Sequence, residues 1–160
     1  MPHSPHTTGN ALEILFLILQ AFNVIFLSLH DWVPLGRLNN YAAKKREDTL
    51  QHRIVVTLLG ALPAAIGLYF CARRFAHPYP HWLGMYLAIT YGMFFLGLLR
   101  AWWIPYLIVP DPVRAARYQV IFAGTHAFLP RRNGIVPDTL HTLFHLSCVA
   151  TLVLIFVIQP

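Results

Sequence analysis

The apolar positions of this chain gather into four long runs, Ala11–Leu29, Ile54–Ala72, Trp82–Leu99 and Leu140–Ile158. Each is long enough to cross about 30 Å of hydrocarbon as a helix rising about 1.5 Å per residue. The pattern predicts an all-α integral membrane protein, an antiparallel four-transmembrane-helix bundle forming a single membrane domain over residues 1–160. Trp82 and the Trp102–Trp103 pair bracket the third run, as aromatic residues do at a membrane–water boundary. Asp111-Pro112 is an N-cap followed by proline at the first helical position, so a short interfacial helix is expected over about 112–123, between the third and fourth spans. Leu129 to Gly134 is turn chemistry, and Pro137 opens the fourth helix.

Composition strengthens this picture. Of 160 residues, 57% are hydrophobic and only 11% charged, against about 25% charged in soluble domains. Mean hydropathy is +0.54. A water-soluble fold of this size could not hide so much apolar surface. The net charge of +6 does not point to nucleic acid, because the basic residues lie in the loops, where anionic headgroups attract them. Arg37, Lys44, Lys45, Arg46 and Arg53 are in the first loop. Arg100, Arg114, Arg117, Arg131 and Arg132 are in the third. The second holds only Arg73 and Arg74. This bias predicts a bacterial-type inner-membrane protein with loops one and three in the cytosol and both termini outside. The first run lacks a positive n-region and an A-x-A site, so it reads as a retained helix. Cys71 and Cys148 are expected at different depths and unbridged.

Little hydrophobic force drives helices together in lipid, so small residues mark their contacts. Gly60, Ala64, Gly67 and Cys71 make such a stripe on the second span, and Gly84, Ala88 and Gly92 on the third. Packing within the bundle is the expected use of both stripes, and a homo-oligomer interface the alternative. Pro63 should kink the second span.

Polar residues inside the runs are the candidate chemistry. Asp138, His141, His145 and Cys148 share one arc of about 80° on the fourth helix. Ionisable groups at such depth are costly and usually face a bundle interior or a cavity. The expected topology brings His30, Asp31, His52, His126 and Arg100 to the same end. Three chemistries fit. A metal could be held by His141, His145, His126 and Asp31. A cofactor such as haem could be bound by His30, His126, His141 or His145, for example between His30 and His145. Acid–base work on a lipid headgroup could use His141 or His145, with Arg100, Arg131 or Arg132 on phosphate. The Glu of H-E-x-x-H is missing after His141, and there are no repeated His boxes.

Plainer roles compete with these. Asp138 could only cap its helix, Arg100 could snorkel, His52 reads as surface, and His141 and His145 could be interhelical glue. His3, His6, His77 and His81 read as loop residues. On the first helix, Glu13 reads as interfacial and Gln20 and Asn23 as bonded to neighbouring helices; a polar path along this helix toward His30, for protons or ions, is the alternative. The functional expectation is a polytopic membrane protein with a cytosol-facing His/Asp site that binds a metal or cofactor, with a redox or lipid-modifying enzyme acting on a lipid-like substrate as one form of it. The alternatives are a non-catalytic accessory or assembly subunit of a membrane complex, and a small proton or ion pathway.

Overall fold

A computed structural model describes residues 5–158; His3 lies outside them, as do the details of the His6 side chain. In chain order the helices are α1 (Pro5–Leu29), α2 (Tyr41–Glu47), α3 (Leu50–Arg73), α4 (His81–Leu98), α5 (Ile104–Leu107), α6 (Pro112–Ile121) and α7 (Thr139–Ile158). A 3₁₀ turn, Gly36–Leu38, precedes α2. No strand occurs among the described residues. Four stretches are long and apolar enough to cross a membrane, Ala11–Leu29, Leu50–Arg73, His81–Leu107 and Thr139–Ile158. α1 packs on α3 and α7, and α4 packs on α7 and α3.

Many large apolar residues face outward, while several small and polar ones are buried. Leu59, Met93 and Phe156 are each about 70% exposed, whereas Gln20, Asn23, Cys71, Cys148 and Thr151 are fully buried. A helix surrounded by lipid has this inverted pattern, because lipid tails solvate leucine as well as a core does. The stripe on α3 works as the spacing predicts. Ala64, Gly67 and Cys71 face inward, and a Cβ on Gly67 would stand 2.8 Å from Leu87. The stripe on α4 does so only in part. Gly84 is buried, but a Cβ on Gly92 would meet nothing within 4 Å. The buried face of α4 runs instead through Leu83, Leu87, Thr90 and Tyr91. Pro63 lies inside α3, and its carbonyl accepts a bond from the Tyr86 hydroxyl at 2.9 Å.

The third span corrects the expectation at its end. It does not stop at Leu99 but passes through a π turn, Leu99–Trp103, and continues into α5. Ile104 N–H donates to the carbonyl of Leu99, five residues back. Proline has no N–H to give the carbonyl four residues back, so Pro105 leaves Ala101 O free. That oxygen accepts from Arg114 Nη1 and from the Tyr118 hydroxyl, each at 3.0 Å. These bonds dock α6 on the bundle. The extra residue of the π turn aims Trp102 inward, where it is 5% exposed and packs with Tyr106, Ala115 and Ile135. Trp102 is therefore a core residue and not part of a boundary belt.

The loop regions near α2 and α6 are tied by charge. Asp111 caps α6, accepting from Arg114 N at 2.9 Å. Lys44 bridges Asp31 at 3.6 Å and Asp48 at 3.1 Å, and Arg117 pairs with Asp48. Buried Arg53 donates to Asp31 O and lies over the Trp32 ring at 4.3 Å.

Candidate functional site

The fourth span begins with a residue that does two jobs. Asp138, 1% exposed, accepts from His141 N at 2.9 Å through Oδ1 and from His141 Nδ1 at 2.8 Å through Oδ2. The first bond caps α7, as the plainer reading expects. The second orients the imidazole. Burial alone would raise the Asp138 carboxyl, but the His141 ring and backbone bonds outweigh it and hold it below the usual carboxylate range. With the proton on Nδ1, the lone pair of a neutral His141 is on Nε2.

His141 meets the other two inward histidines. Its ring stands edge-on to His30 at 5.4 Å and to His145 at 6.2 Å between centroids. His30 Nδ1 donates to Phe26 O at 2.8 Å, while Nε2 faces Asp31 Oδ1 at 3.2 Å. Burial pushes the His30 imidazole down, against the upward pull of Asp31. A proton arriving at Nε2 would find the carboxylate ready to accept its bond. His145 differs from both. It is 2% exposed, enclosed by Trp102, Trp103 and Phe144 at 5.6 to 5.9 Å between centroids, and neither ring nitrogen has a partner.

These three histidines line a wide-open cavity of about 290 Å³. Val56 and Gly60 of α3 line it, as do Met93 and Gly97 of α4. Met93 and Val56 are themselves outward-exposed, so the cavity opens between α3 and α4 on the apolar face. Its walls are apolar and aromatic, with Phe26, Phe94, Trp102 and Phe144 among them.

The other candidates lie elsewhere. His126 is exposed, pairs with Thr139 Oγ1 at 2.7 Å, and helps seat the start of α7. His52, His77 and His81 are exposed. Arg100, Arg131 and Arg132 are exposed and none lines the cavity; Arg131 borders a separate pocket beside Tyr118 and Gly134. Among the described residues, no three His, Cys, Asp or Glu side chains are placed to hold one metal ion. Phe26 is stacked on His30 at 4.2 Å, and His141 contacts both His30 and His145.

The polar residues of α1 form a second group. Glu13 accepts from the Tyr79 hydroxyl at 2.9 Å and from Ala76 N at 3.0 Å. Asn23 donates to Thr151 Oγ1 at 3.2 Å, and the Gln20 amide has no partner. This group does not reach His30. Phe26 and Phe144, stacked at 4.1 Å, pack with Cys148 between the two levels. Cys71 and Cys148 are both buried free thiols.

What sequence reasoning missed is Trp102, which touches His141 and His145, and Phe122, which touches His141 at 5.0 Å. Pro105, four residues after Ala101, was the available signal for an altered helix there. No protein-family profile, curated protein or solved structure matches the chain.

Proposed function

We propose that this chain is an integral membrane protein that admits a lipid-like molecule sideways, between α3 and α4, and performs acid–base chemistry on its polar end. The single observation that carries this reading is the Asp138–His141 pair at an apolar cavity. A carboxylate that holds Nδ1–H leaves Nε2 as the proton acceptor, the arrangement a histidine general base requires. The apolar mouth would take the hydrocarbon part of the substrate, and the histidines would meet its polar part. The lysine and arginine bias of the loops supports a cytosolic placement of this end of the protein.

The accessory-subunit alternative treats His145 as packing glue. Glue of that kind is hydrogen-bonded across helices, whereas both His145 nitrogens are free. The proton-path alternative needs continuity from Glu13 to His30, and the Phe26–Phe144 stack interrupts it.

Photolabelling tests the proposal. A long-chain fatty alcohol with a diazirine near its hydroxyl should label residues that line the cavity, such as Phe94 and Leu98. Gly97 lines the cavity and a Cβ there would meet nothing within 4 Å, so Gly97→Phe is the substitution to occupy that space. That variant should lose the labelling while staying folded. Labelling spread over the outward faces, and unchanged by Gly97→Phe, would overturn the proposal.

A further inference from the structure

The composition of the cavity wall says which polar end it suits. Among the described residues that line it, the side chains offer three imidazoles and no ammonium, guanidinium or carboxylate. A phosphate or other charged headgroup would enter without a counter-charge, at the cost that burying an unpaired ion carries. The arginines that could have served such a group lie outside. The polar end that fits is uncharged.

It is also flat. Trp102, Phe94 and Phe144 line the cavity beside the histidines, and aromatic surfaces gain from offset or edge-on contact with another planar ring. The free hydrogen-bonding capacity is of two kinds. The Asp138 bond makes His141 Nε2 an acceptor. His145 has neither nitrogen committed, so one of them offers an N–H. A buried polar group left without a partner is costly, so a ligand oxygen that takes this N–H removes that cost. The third imidazole, His30, leads away from the cavity to Asp31 and then to Lys44, which is partly exposed.

We infer that the ligand is a quinone-class lipid, an uncharged ring with oxygens at its edge and an apolar tail that leaves between α3 and α4. This inference rests on the lateral-cavity reading above and narrows it. A carbonyl of the oxidised ring accepts from His145. A hydroxyl of the reduced ring donates to His141 Nε2. The site can thus hold either form, and the His30–Asp31 pair connects it to solvent protons.

The test uses the full-length protein in nanodiscs and a short-tailed alkyl-1,4-benzoquinone as probe. Quinones quench tryptophan emission at close range, and Trp102 lines the cavity. Quenching should saturate, and Trp102→Phe should remove most of the saturable part. His145→Leu keeps an apolar volume and deletes the donor, so it should weaken apparent binding about three- to tenfold. Gly97→Phe should weaken it more than tenfold. An alkyl alcohol with the same tail should compete at least tenfold more weakly than the quinone, and phosphatidic acid should not compete. If the alcohol competes as well as the quinone, ring recognition is wrong while the lateral cavity stands. If phosphatidic acid competes best, the uncharged assignment is wrong. If quenching is linear in quinone and identical in every variant, the probe only partitions into lipid, and the inference fails. The separate loss or survival of diazirine labelling in Gly97→Phe then decides whether the cavity reading fails with it.

Discussion

Asp138 holds His141 at two points, its backbone N–H at 2.9 Å and its ring Nδ1 at 2.8 Å, so one carboxylate both starts α7 and sets the tautomer of the histidine that faces the cavity. Substitution can separate these roles. Asparagine keeps an oxygen for the cap but presents an amide donor or a neutral oxygen to the ring. Asp138→Asn should therefore leave thermal stability in detergent within about 1 kcal/mol and shift the ¹⁵N signals of His141. Asp138→Ala should lose the cap as well, with a cost of about 1–2 kcal/mol. Equal loss of stability in both variants, with an unchanged imidazole spectrum, would mean that the ring bond has no influence on the tautomer.

The same carboxylate predicts the direction of pH sensitivity. Asp138 and Asp48 both have folded values held below the usual carboxylate range; at Asp48, burial is opposed and outweighed by Lys44 and Arg117. A group whose pKa is lower in the folded chain stabilises fully above its unfolded value, about 3.9, and loses that contribution as pH falls through the folded value. Stability in detergent should thus drop on acidification below about pH 4. Asp48→Asn should shrink the part of that drop that Asp48 contributes. A stability curve flat to the lowest pH accessible would contradict the ion pairs as described.

Gly67 and Gly92 give opposite expectations for one substitution. At Gly67, an added Cβ would stand 2.8 Å from Leu87 Cδ2 and 3.5 Å from Gln20 Oε1. Gly67→Ala should destabilise by about 1–3 kcal/mol through overpacking. At Gly92 there is open space and a helical backbone, so Gly92→Ala should be neutral or stabilise by up to about 1 kcal/mol. Melting curves of the two variants check the pair, and a reversal of their order would mean that α3 and α4 are packed on other faces.

Trp102 should be worth more than Trp103. It is 5% exposed and touches His141, His145, Tyr118 and Phe122, whereas Trp103 is only half-buried. Trp102→Ala should cost about 3–5 kcal/mol, and Trp103→Ala clearly less. Denaturation in mixed detergent measures both. Similar losses would argue that the π turn does not set which tryptophan is inside.

Orientation is tested by labelling. Arg131 is exposed and both native cysteines are buried. A thiol introduced as Arg131→Cys should stay unreactive to a membrane-impermeant maleimide in intact cells and react once they are opened. Labelling in intact cells would place the third loop, and the site with it, outside.

The four spans were legible because length and apolar run are local properties, and a residue surrounded by lipid need not be striped. The α6 cap at Asp111 was legible for the same reason, since its bond is made three residues away. The stripe on α3 could be read because small residues mark close approach wherever the partner helix lies. α4 was harder. Its stripe from Gly84 to Gly92 spans two helical turns, yet the neighbours cover only the Gly84 end. The α2 helix, Tyr41–Glu47, was hidden in a charge run that reads as solvated loop.

The sequence alone determined that this chain has four membrane-length helices and that Asp138, His141 and His145 share one face of the last, because helical periodicity places residues within an element. It did not determine which histidines join them. His30 and His126 were both candidates at the same end. Tertiary packing chose His30, because Phe26 stacks against both His30 and Phe144 and so brings α1 against α7. Trp102 joined them through a π turn beside Pro105 that rotates one tryptophan inward. Contacts between elements depend on how helices are rotated against each other, and a periodic pattern that is apolar on every face carries no record of that angle.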